Sequence, residues 1–570
     1  MKVLRLILAV TMVFGLAVVG LLVSSWKTTA TQSMGYALVT DLRLEKPEPK
    51  NWLMYRRTYD GWGYSPLRQI TSLNVVDLTP AWVFPTGVFE DHHQSPPIVN
   101  DGTMFVTAIA DVIALNAKTG EMLWRYARKL PSDLRRPHST NRGVGLYNDK
   151  VYVGTLDAHV VALDALSGRV IWDQAIEDYK RGYYITMAPL VADGKVLVGT
   201  SGGEEGVRGF VAALDARTGE EVWKSYTIPG VGEPGNETWP GDTWQTGGGP
   251  VWLTGTYDPA LQITYWGTGN PGPWMGDTRP GDNLYTNSTI ALDVKTGALR
   301  GYYQYHWNGS WDWDEANAPL LVDIERGGRV VPALVHPGRN GYLWFLERQL
   351  EKLSFIEAKP YVYQNVFARL DPHTGRPTYH SEHVPGTGKR ALFCPSLVGG
   401  KNWPPEAFNP ETRLLYIPAN ENQCSYMEGR AVQYTPGQSF TGADFEVFKR
   451  FGADHIGELQ AWDVDTGERA WTHEFKSRIQ GSVLTTGGGL VFLGGGDFQA
   501  FHAVSGRLLW QMRTNYGRSG IPTTYSVDGV QYVAFQSGAQ RLKTGNGRPL
   551  RNTEVPKGGL VWAFALDCQC

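Results

Sequence analysis

Ala162–Trp172 reads ALDALSGRVIW, and Ala213–Trp223 reads ALDARTGEEVW. Each is a strand ending on aspartate, a Ser-Gly or Thr-Gly turn, and a returning strand that closes on tryptophan. The glycine supplies the positive φ that a tight turn between antiparallel strands needs. The pattern spreads outward: Ala114–Trp124 is ALNAKTGEMLW, Ala461–Trp471 is AWDVDTGERAW and Ala500–Trp510 is AFHAVSGRLLW. Weaker copies start at Ala291 (ALDVKTGALRG) and Arg369 (RLDPHTGRPTY), the former with Gly301 where tryptophan is expected. The first three copies begin 48 and then 51 residues apart. Alternating stretches such as KVYVGTLDAHVVAL, Lys150 to Leu163, add strands ahead of the turns. Such units, each with a flat side chain able to wedge against its neighbour, describe the blades of an all-β propeller. Later intervals of about 78 residues predict insertions or decayed blades.

Composition agrees. The 570 residues include 67 Gly, 21 Trp and 27 Tyr but only 19% charged side chains, as short strands and tight turns require. The net charge of -3, without a long run of one sign, argues against a nucleic-acid partner. At the N-terminus, Lys2 and Arg5 precede an uncharged run from Leu6 to Val23. Residues 1–30 are therefore expected to be a signal peptide or an uncleaved membrane anchor, with the propeller domain at 45–570. The expected location is the periplasm, with the domain soluble or tethered to the inner membrane. Export permits disulfides, and Cys394 with Cys424 is the candidate pair. Cys568 and Cys570, in the tail DCQC, are too close for an easy mutual bridge, and no role is assigned to them. The sequence has no CxxCH for covalent haem and no CxxC pair suggesting zinc.

Between about Asn51 and Phe564 the repeats resemble the tryptophan-docking motifs of the pyrroloquinoline-quinone (PQQ)-dependent alcohol dehydrogenases. That resemblance implies an eight-bladed propeller. TSGGEEGVRGF, Thr200 to Phe210, resembles the family signature SGAExGVRGF. It implies Glu204 as a metal ligand beside the quinone, with Ser201, Gly202 and Gly203 along the cofactor plane. WPGDTWQTGGGPVWLTGTYDP followed by YWGTGNPGPW implies Trp252 stacked on the quinone ring and Asn270 lending its amide oxygen to the metal. An aromatic floor suits a flat cofactor, and an amide carbonyl is a hard oxygen ligand.

SWDWDEANAP, Ser310 to Pro319, resembles the segment whose first aspartate is the catalytic base. Asp312 takes that place and also a metal-binding one. Two positions on, calcium-dependent members carry a small or neutral residue and lanthanide-dependent members a second aspartate, as Asp314 here. In an extended segment, residues i and i+2 share a face at a rise of roughly 6.6 Å, so the two carboxylates are expected to converge on one cation. Further matches imply cofactor contacts from Arg142 in STNRGVGLY, Thr186 in ITMAPLV, Arg339 in HPGRNGYLWFLER, and Asn402 and Trp403 in GGKNWPPEAFNPETRLLYIP. A guanidinium forks readily onto a carboxylate, and the quinone carries three.

Three residues depart from the family pattern. Arg136 and Pro137 stand where many members have adjacent cysteines, and Gln94 stands where a glutamate is frequent. Gln94 can hydrogen-bond the cofactor but adds no charge. The Cys394–Cys424 pair matches a disulfide found in family members.

The implied activity is a quinoprotein oxidoreductase. It oxidises alcohols to aldehydes or ketones by hydride transfer to PQQ bound with one metal ion, a lanthanide or calcium. Electrons then pass to a separate cytochrome c or membrane quinone. A PQQ-dependent sugar or polyol dehydrogenase is the near alternative. A non-catalytic propeller scaffold would share the repeats without needing Glu204, Asn270 and Asp312 together.

Overall fold

The computed structural model describes residues 36–567, apart from 90–92, 136–137, 480, 496, 515–517 and 539–557. The N-terminal segment 1–30, Arg136, Pro137, Cys568 and Cys570 lie outside the described residues. Eight sheets of four or five strands form the blades of a β-propeller. The first comprises Ile98–Asn100, Thr103–Ala108, Asp111–Asn116 and Met122–Ala127. Its first strand is wholly buried and its last largely exposed, which sets the inner and outer edges. Blades two to five repeat this order with inner strands Gly145–Tyr147, Leu190–Ala192, Thr256–Asp258 and Leu320–Arg326. The sixth begins at Ala407–Asn409 and the seventh at Val483–Thr486. The eighth is completed by the N-terminal strand Leu78–Pro85, which pairs with Gly559–Leu566 and closes the ring.

The repeat explains how blades adhere. The indoles of Trp82, Trp124, Trp172, Trp223 and Trp471 donate to the carbonyls of Ala117, Ala165, Ala216, Val294 and Ala503 in the following blade, at 2.9–3.3 Å. Their rings lie over Gly120, Gly168, Gly219, Gly297 and Gly506, where a Cβ would sit only 2.4–2.7 Å from a ring atom. The turn glycine is thus needed both for its positive φ and as the surface on which tryptophan docks. Trp82 belongs to no copy of the motif because it sits on the closing strand.

Two blades depart. At Gly301 the outer strand of blade four packs directly on the backbone of Lys352. In blade five, an Arg326–Glu357 ion pair (2.7 Å) lies against Gly467 in place of an indole. The copy at Arg369 is not part of a blade; it forms the hairpin of Phe367–Leu370 with Pro377–Tyr379.

The long interval inside blade six is an insertion. Strands Gln423–Gly429 and Ala443–Lys449 join Arg390–Phe393 in a three-stranded sheet. The disulfide Cys394–Cys424 ties its first two strands together. Among the described residues, no helix is long and apolar enough to cross a membrane.

Candidate functional site

Strand order determines where the candidate residues gather. In an antiparallel blade, the connection entering the inner strand and the turn leaving the second strand lie at the same end. Gln94, Arg142, Thr186, Trp252, Asp312, Asp314, Asn402 and Trp403 precede inner strands; Ser201, Gly202, Glu204, Asn270 and Arg339 follow second strands. All of these except Asn270 line one cavity of about 230 Å³. Asn270 lies buried beside it, its backbone N–H donating to Asp314 Oδ1 at 2.9 Å. Gly203 packs behind, where a Cβ would sit 2.8 Å from Pro250.

One wall is aromatic and cationic. The Arg142 guanidinium lies 4.8 Å from the Trp252 ring and 5.5 Å from Trp403, and Arg339 lies 5.8 Å from Trp252. Arg142 donates to Thr186 Oγ1 at 2.6 Å, which is 3.0 Å from Ser201 Oγ. Asn402 folds onto its own loop, donating to the Val398 carbonyl and accepting from the Trp403 N–H. Gln94 is buried with its Oε1 unpartnered among the described residues.

The opposite wall is acidic. Arg339 donates to the Asp312 carbonyl at 2.9 Å and pairs with Asp314 Oδ2 at 3.0 Å. Both carboxylate oxygens of Asp314 are therefore engaged, one by Asn270 and one by Arg339. Among the described residues, no side chain donates to Glu204 or Asp312, and Asn270 Oδ1 is buried without a partner. Burial, and then the charge of Asp314, pushes Glu204 up to about 8. The same two causes push Asp312 well above the usual carboxylate range, against the opposing pull of Arg339.

The expected strand geometry at Asp312 is not what forms. The segment is a loop, and Asp312 has φ 60, in the left-handed region. Both carboxylates still face the cavity, but through a turn held by Arg339 rather than through the pleat of a strand. Asp tolerates this conformation better than most residues. The flanking Trp311 and Trp313 stack at 5.0 Å and donate to the carbonyls of His383 and Ser396, which anchors the turn on both sides.

Sequence reasoning did not single out Glu315, although it lies in the quoted segment. It is fully buried, accepts from the Arg339 and Asn340 backbone amides, and contacts His336 Nε2 at 2.7 Å. Burial alone would raise it, but the His306 and His336 imidazoles facing it prevail and hold it at about 2. It bolts the aspartate loop to the Arg339 turn. His138, Thr140, Tyr184, Pro250, Leu397 and Val398 also line the cavity. Most flank quoted motifs, but no residue-type signal marks them.

A family profile described as "PQQ: Glucose/ethanol/alcohol dehydrogenase, beta-propeller domain" matches residues 52–352 and 473–533. The chain belongs to the PQQ-dependent alcohol dehydrogenase family. It is 38% identical to quinoprotein alcohol dehydrogenase PedH of Pseudomonas putida, over 89% of this chain and 90% of that one. It is 36% identical to a lanthanide-dependent methanol dehydrogenase of Methylacidiphilum fumariolicum, over 87% and 86%. Superposition on a europium-containing methanol dehydrogenase gives a TM-score of 0.86 at 34% identity, covering 92% of this chain and all of the other. This PQQ-dependent alcohol dehydrogenase is thus an enzyme that oxidises alcohols with the quinone.

Proposed function

We infer that the cavity is the catalytic site, with Glu204, Asn270, Asp312 and Asp314 holding one metal ion and Gln94, Arg142, Thr186, Ser201, Gly202, Gly203, Trp252, Arg339, Asn402 and Trp403 holding PQQ. The observation carrying this is the set of hard oxygen donors left unmet: Asn270 Oδ1 without a partner, beside Glu204 and Asp312, whose charged forms are disfavoured. A multivalent cation would relieve all three at once. When bound, the quinone supplies a two-electron acceptor and the metal a Lewis acid that polarises it. The protein's own residues do the rest. Asp312 takes the hydroxyl proton of the alcohol at its carboxylate. Trp252 forms an apolar floor, and Arg142 and Arg339 neutralise carboxylates on the ligand.

The metal reading favours a lanthanide. Asp314 adds a third carboxylate to the site, and the names of two relatives include a lanthanide. Each engaged oxygen of Asp314 keeps a second lone pair, so Arg339 and a cation can share it. The carboxylates at the site suit a trivalent ion better than a divalent one.

The likeness to quinoproteins over most of the chain supports electron delivery to a separate cytochrome c or membrane quinone. The basic, then apolar N-terminal sequence supports residues 1–30 as a signal peptide or anchor and a periplasmic propeller at 45–570.

The test is reconstitution with PQQ and either calcium or a light lanthanide, following dye-linked alcohol oxidation and tryptophan fluorescence. Lanthanide-supported activity and quenching are expected, with Asp314→Ala losing lanthanide binding and activity. Equal lanthanide affinity in wild type and variant would remove Asp314 from the ligand set. A panel that includes sugars and polyols decides the substrate class.

A further inference from the structure

The loop KNWPPE, residues 401–406, brings Asn402 and Trp403 to the cavity, and a buried ion pair closes it from behind. Lys401 and Glu406 meet at 2.9 Å with side chains 0% and 4% exposed. Lys401 also donates to the Asn402 carbonyl at 3.1 Å. Arg56 is buried beside the pair and donates to the Glu406 carbonyl at 2.5 Å and the Val483 carbonyl at 2.9 Å. Its Nε and Nη1 have no hydrogen-bond partner among the described residues. Glu406 is the carboxylate that acts on both cations. Two buried positive charges therefore share one negative charge.

A brace for the loop does not need this arrangement. Apolar side chains of similar volume commonly replace a buried ion pair without loss of stability, and a second buried cation adds to the desolvation cost. Burial pulls both cations below their ordinary values, Arg56 to about 10. For Lys401, Glu406 opposes the fall, while the charges of Arg56 and Arg339 add to it. Arg339 lines the cavity, so Lys401 stands within electrostatic reach of whatever the cavity holds. The cluster keeps a fixed net positive charge inside a cavity wall, where it acts more strongly than it would in water.

In the reaction the alcohol gives a hydride to the quinone and a proton to Asp312, and leaves as the aldehyde or ketone. The quinone thereby gains two electrons, one proton and one unit of negative charge. We propose that the cluster of Lys401, Arg56 and Glu406 sets the reduction potential of the quinone in the cavity, its excess positive charge favouring the reduced form. This rests on the assignment of the cavity to PQQ.

Spectroelectrochemical titration of the full-chain enzyme loaded with PQQ and a light lanthanide reads the potential, and tryptophan quenching reads quinone binding. Lys401→Met removes the excess charge and keeps the stem. A unit charge acting across roughly 10 Å at an effective dielectric constant of about 20 changes an equilibrium about tenfold. The potential should therefore fall by about 30 mV for a two-electron couple. Combining Lys401→Met with Glu406→Met restores the net charge of the cluster and should bring the potential back, which the repair of a mere brace would not do. Should Lys401→Met fail to fold, Lys401→Gln carries the same test, since it keeps a donor for Glu406 and the Asn402 carbonyl. An unchanged potential in Lys401→Met or Lys401→Gln with quenching intact would overturn the proposal, as would a double variant as low as the single one. Absence of quenching in the wild type would instead remove the quinone assignment, and the proposal with it.

Discussion

At the scale of the residue, the site is a problem of unpaired negative charge. Among the described residues no side chain donates to Asp312 or Glu204, and burial together with the charge of Asp314 favours their protonated forms. Asn suits the left-handed backbone at 312 nearly as well as Asp, so Asp312→Asn tests the base without straining the turn. It should lower kcat by about 10²–10⁴-fold while PQQ-induced tryptophan quenching persists. Glu204 also sets a pH dependence. Its folded value of about 8 lies above the ordinary 4.5, so the apo protein gains stability from it fully below about pH 4.5. That gain is lost as pH rises through 8. A metal must displace the proton, so metal affinity should climb between about pH 5 and 8, with net proton release on binding. Calorimetry in buffers of different ionisation enthalpy measures this; binding without proton release near neutrality would mean that both carboxylates are already charged.

At the scale of the element, the unit of cohesion is an indole on the next blade's turn. Trp172 donates to Ala216 and covers Gly219, and Trp124 does the same with Ala165 and Gly168. Trp172→Ala should cost about 3 kcal/mol in denaturant unfolding, near the low end for a large aromatic because the ring is half-buried. Gly168→Ala should cost more than the ~1 kcal/mol of left-handed strain alone, since its Cβ would lie 2.5 Å from the Trp124 ring. Equal stability of Gly168→Ala and wild type would mean that the docking geometry is looser than described. This element was legible in the sequence because one glycine and one tryptophan recur at fixed spacing. Trp82 was not, because the closing strand comes from the other end of the chain and carries no turn of its own.

At the scale of the whole molecule, an insertion outside the ring braces the site. The Cys394–Cys424 bridge joins two parts of it. One part, just after Cys394, accepts the Trp313 N–H at Ser396 and supplies Leu397 and Val398 to the cavity. The other, the hairpin built from Gln423–Gly429 and Ala443–Lys449, reaches back through the Phe440 N–H to the Glu204 carbonyl at 2.6 Å. The bridge closes a loop with a sequence separation of 30. Replacing both cysteines by serine should lower stability by about 3–4 kcal/mol, as loop entropy predicts. It should also weaken metal binding, because the Asp312 turn and the Glu204 turn lose a common brace. Stability that falls while lanthanide affinity holds would confine the bridge to a purely structural role.

The sequence by itself determined the blade motif, the family and two thirds of the residues lining the cavity, because each of these sits in a short local string whose chemistry does not depend on distant partners. Tertiary structure decided what those residues do to one another. Only the closed ring brings the ends of blades one to six to one chamber. Only there does Arg339 pair with Asp314, leave Asp312 and Glu204 unmatched, and turn Asp312 left-handed where an extended strand was expected. Glu315 and Glu205 look like ordinary acidic residues in the chain. Their burial, one facing two imidazoles and one with an enclosed, unpartnered oxygen among the described residues, follows from long-range packing that no local pattern records.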